Sequence, residues 1–128
     1  MSLDRTYLVW SLAYVAVGMA LGIYMAASHD HSQHVTHAHI LLVGFVVSFI
    51  YAVIHKLWLG ARATLLGRVQ LFAHQAGALM MFSGLFLLYG AVVPPERVEP
   101  LLAASTLVVF GAALLMIIMA LKRPSAAA

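Results

Sequence analysis

Seven histidines stand in a chain of 128 residues that is 64% hydrophobic and only 9% charged, and they are the side chains best able to do chemistry. Five fall within one stretch, His29-Asp30-His31-Ser32-Gln33-His34-Val35-Thr36-His37-Ala38-His39, and the other two are His55 and His74. Neutral imidazole ligates copper, zinc, nickel and iron. His29, His31 and His34, with Asp30 as a further donor, read as a hydrophilic loop that could take up a second metal. Their spacing matches no closed structural site.

His37 and His39 present a different problem. An ionisable group inside a membrane span is expensive and turns toward a partner or a cavity. Two residues apart on a helix, these imidazoles point about 200° from one another, so one helix cannot close both on a single ion. Each can serve its own site. Haem iron accepts axial histidine, and a hydrogen bond to a backbone carbonyl or to water is the bland alternative. Both readings stay open on the chemistry alone.

His55 and His74 lie deeper. His39 and His55 are about 24 Å apart along one helix, and His74 falls at the depth of His55, so His39 and His74 are not expected to grip one iron. His74 has three readings: an inner haem shared with His55, a hydrogen bond across helices, or a place on an inner-side proton or ligand path. His55, beside Lys56 and near Trp58, reads as an interfacial residue.

The elements that must position these groups are membrane helices. The mean hydropathy is +1.01, and a soluble domain carries about 25% charged residues. The polar shell is missing, so the solvent is lipid. A crossing needs roughly 20 apolar residues, and the chain divides into four spans at about 7–27, 37–59, 69–93 and 101–121, forming one four-helix transmembrane domain over 1–128. Thr36 is a candidate cap for the second span. Pro94-Pro95 is expected to end the third, and Lys122-Arg123-Pro124 the fourth. The first span is too long for a signal-peptide core and is read as retained. Gly18 and Gly22 form a small-xxx-small step, read as ordinary close helix packing. Met80, Met81, Met116 and Met119 read as adaptable filler.

Basic residues set the expected orientation. Arg5, Lys56, Arg62, Arg68, Lys122 and Arg123 lie on one side and only Arg97 on the other. By the positive-inside rule both termini and the second loop are cytoplasmic, and the histidine-rich loop faces outward, to the periplasm in a Gram-negative cell. The net charge of +3 therefore reads as topology, not as a nucleic-acid footprint. With no cysteine, disulfides and iron–sulfur clusters are excluded. Asp4, Asp30, Glu96 and Glu99 are the only acids, all outside the expected spans. No nucleophile–base set or phosphate loop appears, so hydrolase or transferase chemistry is not expected. Any activity would be the redox chemistry of a cofactor.

The segment His37-Ala38-His39-Ile40-Leu41-Leu42-Val43-Gly44-Phe45 resembles the His-x-His helix of haem-copper oxidase and nitric oxide reductase catalytic subunits. More loosely, His74-Gln75-Ala76-Gly77 is similar to the same group of proteins, including small four-helix relatives of the cbb-type oxidase subunit. In the large enzymes the two histidines ligate two different haems from opposite faces of an outward-starting helix. The resemblance implies haem b as cofactor, with His37, His39 and His74 as the residues that hold it. It also implies a bundle equal to one third of a twelve-helix arrangement, and hence a homo-oligomer, a trimer, with haem between protomers. No His-His pair in the third helix and no tyrosine-bearing copper motif is present, so a complete oxygen-reducing centre is not implied.

The expectation is thus a haem-b-binding protein of the bacterial inner membrane. It would act in electron transfer or in haem or diatomic-gas binding, with an unidentified redox partner. The competing expectation is a copper-binding or copper-transporting module, with the outer histidines as collector and the methionines as a soft path.

Overall fold

The computed structural model describes residues 1–60 and 63–122. Four helices long and apolar enough to cross a membrane make up nearly all of it: α1 (Leu3–Ser28), α2 (His34–Leu59), α3 (Leu65–Tyr89) and α4 (Pro95–Leu121). Arg62 and Arg123, used above for orientation, lie outside the described residues.

Each span starts earlier than the apolar runs suggest, and local chemistry explains two of the starts. Thr64 caps α3, its Oγ1 accepting from the Gly67 N–H at 3.0 Å, which draws the helix back by about a turn. Pro95 opens α4 where Pro94-Pro95 had been expected to close α3, because a first-turn amide needs no helical acceptor. The third helix instead ends at Tyr89, and Ala91 follows with φ 55°. Thr36 is likewise not the cap of α2. The helix begins two residues earlier, with the His37 N–H already bonded to the Gln33 carbonyl at 2.9 Å. Consequently His34 belongs to the helix and not to the loop.

The second span is not uniformly α-helical. Ile40–Val46 and His55–Leu59 are wound as π-helix, a rare winding that recurs where helices carry functional side chains.

The helices alternate in direction. Leu3 at the start of α1 and Met119 near the end of α4 both pack at Gly67 in the first turn of α3, so these three ends meet at one end of the bundle, here the N-terminal end. The histidine-rich loop lies at the other. Pairing of α1 with α2 depends on missing side chains. A Cβ on Gly18 would stand 2.5 Å from Leu41 Cδ2, one on Gly22 2.9 Å from the His37 ring, and one on Gly44 2.7 Å from the Tyr14 ring. The Gly18/Gly22 step is therefore occupied within the chain. Gly77 and Gly84 seat Val109 and Leu102 of α4 in the same way.

Burial runs opposite to that of a soluble bundle. Leu107, Phe110 and Ile117 of α4 and Phe72 of α3 are more than half exposed, while Ser11, Ser48, Gln70, His74 and Ser105 are sealed inside. Lipid is as apolar as leucine, so nothing drives leucines inward; close packing and interhelical hydrogen bonds hold the helices instead. α3 is the most buried stave and α4 the least.

Candidate functional site

At the histidine-loop end, α2 presents a buried stripe through Thr36, Ile40, Gly44 and Ser48. His37 and His39 stand on the two flanks of this stripe, both half-buried. The His37 ring lies in the notch left by Gly22 on α1, and its Nδ1 is 2.8 Å from the Gly18 carbonyl oxygen. His39 Nδ1 is 2.9 Å from the Val35 carbonyl oxygen, one turn back on its own helix. A carbonyl can only accept, so in each ring Nδ1 carries the proton and donates it. The neutral ring then keeps its lone pair on Nε2. Among the described residues neither Nε2 has a protein partner, and neither is sealed within the bundle. A backbone carbonyl that holds Nδ1–H is the arrangement that fixes tautomer and ring orientation in metal-ligating histidines. The residues thus fit an axial-ligand role on both flanks.

The neighbouring polar contacts tie this end together. Gln33 Nε2 donates to the Phe86 carbonyl at 3.0 Å, a carbonyl that also accepts the Gly90 N–H at 2.9 Å, and its Oε1 accepts from Thr36 Oγ1 at 2.7 Å. The start of α2 is thereby fastened to α3.

Among the described residues no three of the histidines and carboxylates come together in ligating positions. Asp30 Oδ1 accepts from the Ser32 N–H at 3.0 Å, a local turn, and His34 Nδ1 turns to the His31 carbonyl at 3.0 Å. The Ser32 amide, and after it the Ser32 side chain, holds the Asp30 carboxyl below its ordinary range. His29 ends α1, Asp30 and His31 lie in a hydrogen-bonded turn that leads into His34 at the start of α2, and the copper-collecting expectation finds no gathered set of three donors there.

His74 is not brought to His37 and His39. It packs against Tyr7 and Tyr51, with ring centroids 6.2 and 5.1 Å away, whereas His37 packs at Gly22. Tyr7 and Gly22 are roughly 22 Å apart along α1. His74 is wholly buried, its Nε2 3.3 Å from Ser48 Oγ. Ser48 Oγ also accepts from Gln75 Nε2 at 3.2 Å, and Gln75 Oε1 accepts from Tyr14 at 2.7 Å. Because Ser48 already accepts from Gln75, its one proton is free for His74.

Below lies a second set of contacts. The Tyr7 hydroxyl donates to Gln70 Oε1, and Gln70 Nε2 donates to the Ala112 carbonyl at 3.1 Å. Three helices are tied through one glutamine. His55 stacks on Tyr7 at 5.7 Å and is 2% exposed, so it is a core residue and not the interfacial one expected from Lys56 and Trp58. His55 Nε2 and His74 Nδ1 both lack partners in this core. Of these core groups, Tyr7, Tyr14, Tyr51, Ser48, Gln70 and Gln75 were missed in the sequence. Two glutamines and a serine in otherwise apolar spans are the signal that could have found them, since an unpaired amide in lipid is costly.

The architecture defines a class: an all-helical bundle in which, among the described residues, four helices are long and apolar enough to cross a membrane. No family model matches the chain, and no curated protein or solved structure does.

Proposed function

We propose that the protein is a haem-b-binding membrane protein in which His37 and His39 each offer Nε2 to iron, one on each flank of α2. The observation that carries this is the pair of Nδ1–carbonyl bonds at 2.8 and 2.9 Å, which put the proton on Nδ1 and leave the lone pair of each ring on Nε2. Bound haem would supply one-electron chemistry or an open position for a diatomic gas. The chain's own contribution is to fix two tautomers and to hold the rings at the rim of the bundle. A haem held by these half-buried rings would not be wholly enclosed by this chain. A second protomer would cover it, which favours a homo-oligomer, and the resemblance to one third of the oxidase subunit favours a trimer.

The reading includes a topology. Arg5, Lys56 and Arg68 at the N-terminal end of the bundle, against Arg97 at the other, favour cytoplasmic termini and an outward histidine loop in a bacterial inner membrane. A residue-specific accessibility probe placed at Ser32 should label from the outer side only.

The test of the haem is spectroscopic. Protein purified from haem-replete cells should show a Soret band and a reduced-minus-oxidised difference spectrum. His37→Ala and His39→Ala should each lower the haem content, and the mass of the solubilised complex should be that of three chains. A colourless preparation, or haem retained in full by both variants, sinks the proposal.

A further inference from the structure

At the N-terminal end of the bundle a cleft of about 500 Å³ opens between α1 and α2. Its rim carries Arg5, in the first turn of α1, and Lys56, in the last π-wound turn of α2. Its wall is apolar: Leu8 from α1, with Phe49 and Val53 from α2. Leu8 and Phe49 are 37% and 44% exposed, so the wall is open to lipid along its length.

The charge on the rim is only partly offset from within. Asp4 also lines the cleft and feels the Lys56 charge through space. Two cations on separate helices therefore face one carboxylate, which leaves the rim with a net positive charge. Long basic side chains of this kind lay their stems along apolar surface and hold their heads at the membrane boundary.

We propose that this cleft is a binding site for an anionic phospholipid. The headgroup phosphate would sit between Arg5 and Lys56, and an acyl chain would lie along Leu8, Phe49 and Val53. A free phosphate ion could meet the two cations but would leave the apolar wall unused. A zwitterionic phospholipid would bring its own cation to a rim that is already positive. The proposal does not depend on haem.

The experiment is lipid retention by the full-length protein in mild detergent, read by native mass spectrometry after exposure to equimolar phosphatidylglycerol and phosphatidylcholine. The wild type should retain phosphatidylglycerol in preference. Removing both cations, as R5Q/K56Q, should lower that preference by roughly fivefold per charge, from the usual strength of one basic residue at an anionic membrane surface. Both residues are exposed, so the helical circular dichroism should be unchanged. Val53→Trp, which fills the cleft and leaves the cations in place, should also lower retention. Equal retention of the two lipids by the wild type, or undiminished preference in R5Q/K56Q, overturns the site. Inorganic phosphate displacing the lipid as effectively as phosphatidylglycerol itself would reduce it to a phosphate-ion site and overturn the lipid assignment.

Discussion

The two ends of α2 hold histidines in opposite ways. At the histidine-loop end, His37 and His39 are half-buried, each with Nδ1 on a backbone carbonyl and Nε2 left over. At the N-terminal end, His55 and His74 are sealed against Tyr7, and the nitrogens left over point into protein. The residue type is the same and the consequence differs. A spare lone pair at a rim can meet a ligand from outside, whereas a spare nitrogen in a closed core can meet only a water small enough to enter. The difference teaches that burial alone does not mark a ligating histidine. What marks it is which nitrogen the protein occupies and whether the other can be reached.

The sharpest way to break this contrast is to disturb one end and watch the haem. Gly22→Val puts side-chain atoms where the His37 ring lies, since even a Cβ would come within 2.9 Å. It should lower haem affinity by about 10–100-fold, the usual cost of losing the group that orients a ligand. His74→Phe, at the other end, should leave the Soret band unaltered. If Gly22→Val binds haem normally while His74→Phe loses it, the assignment of the two ends is reversed.

A smaller effect separates structural glue from passengers within the core. Gln70→Leu removes the acceptor of Tyr7 and the donor to Ala112 at once. It should cost roughly 1–2 kcal/mol in a reversible unfolding assay in mixed micelles, the range for interhelical polar contacts in membranes. His55→Phe keeps the stacking on Tyr7 and deletes an unpartnered nitrogen. Stability within about 0.5 kcal/mol of the wild type is expected there, because replacing an unsatisfied group by an apolar one of similar shape is close to neutral. A loss as large as that of Gln70→Leu would mean that His55 Nε2 is satisfied by bound water.

The smallest effect belongs to the outer turn. The folded Asp30 carboxyl sits below its ordinary range because the Ser32 amide donates to it. A depressed carboxyl contributes its stabilisation above the unfolded value and loses it as pH falls through the folded one. The His29–His34 turn should therefore loosen only in acid below the ordinary carboxylate range, visible as collapse of the Ser32 amide shift. Asp30→Asn should show no such transition.

Much of this was legible in the residues themselves. Four apolar runs broken by Ser28–Thr36, Gly60–Arg68 and the proline loop fix the number of helices, since a span must satisfy its own backbone. The two-residue spacing of His37 and His39 sends their rings to different flanks, and that geometry needs no tertiary information. Helix ends were misjudged where residues before the continuous apolar run, Leu65–Arg68 and Pro95–Pro100, still wind as helix.

Tertiary structure decided the fate of the His37, His55 and His74 nitrogens, whereas His39 Nδ1 is held by a carbonyl of its own helix. A periodicity can place His37 on a face, but only the approach of α1 at Gly18 and Gly22 puts a carbonyl on Nδ1 and leaves Nε2 bare. His55 looked interfacial beside Lys56 and Trp58, yet it is enclosed because Tyr7 of a different helix stacks on it. The physical reason is common to both. Composition sets which solvent a segment prefers, while hydrogen-bond satisfaction and enclosure are properties of pairs of segments and exist only once those segments meet.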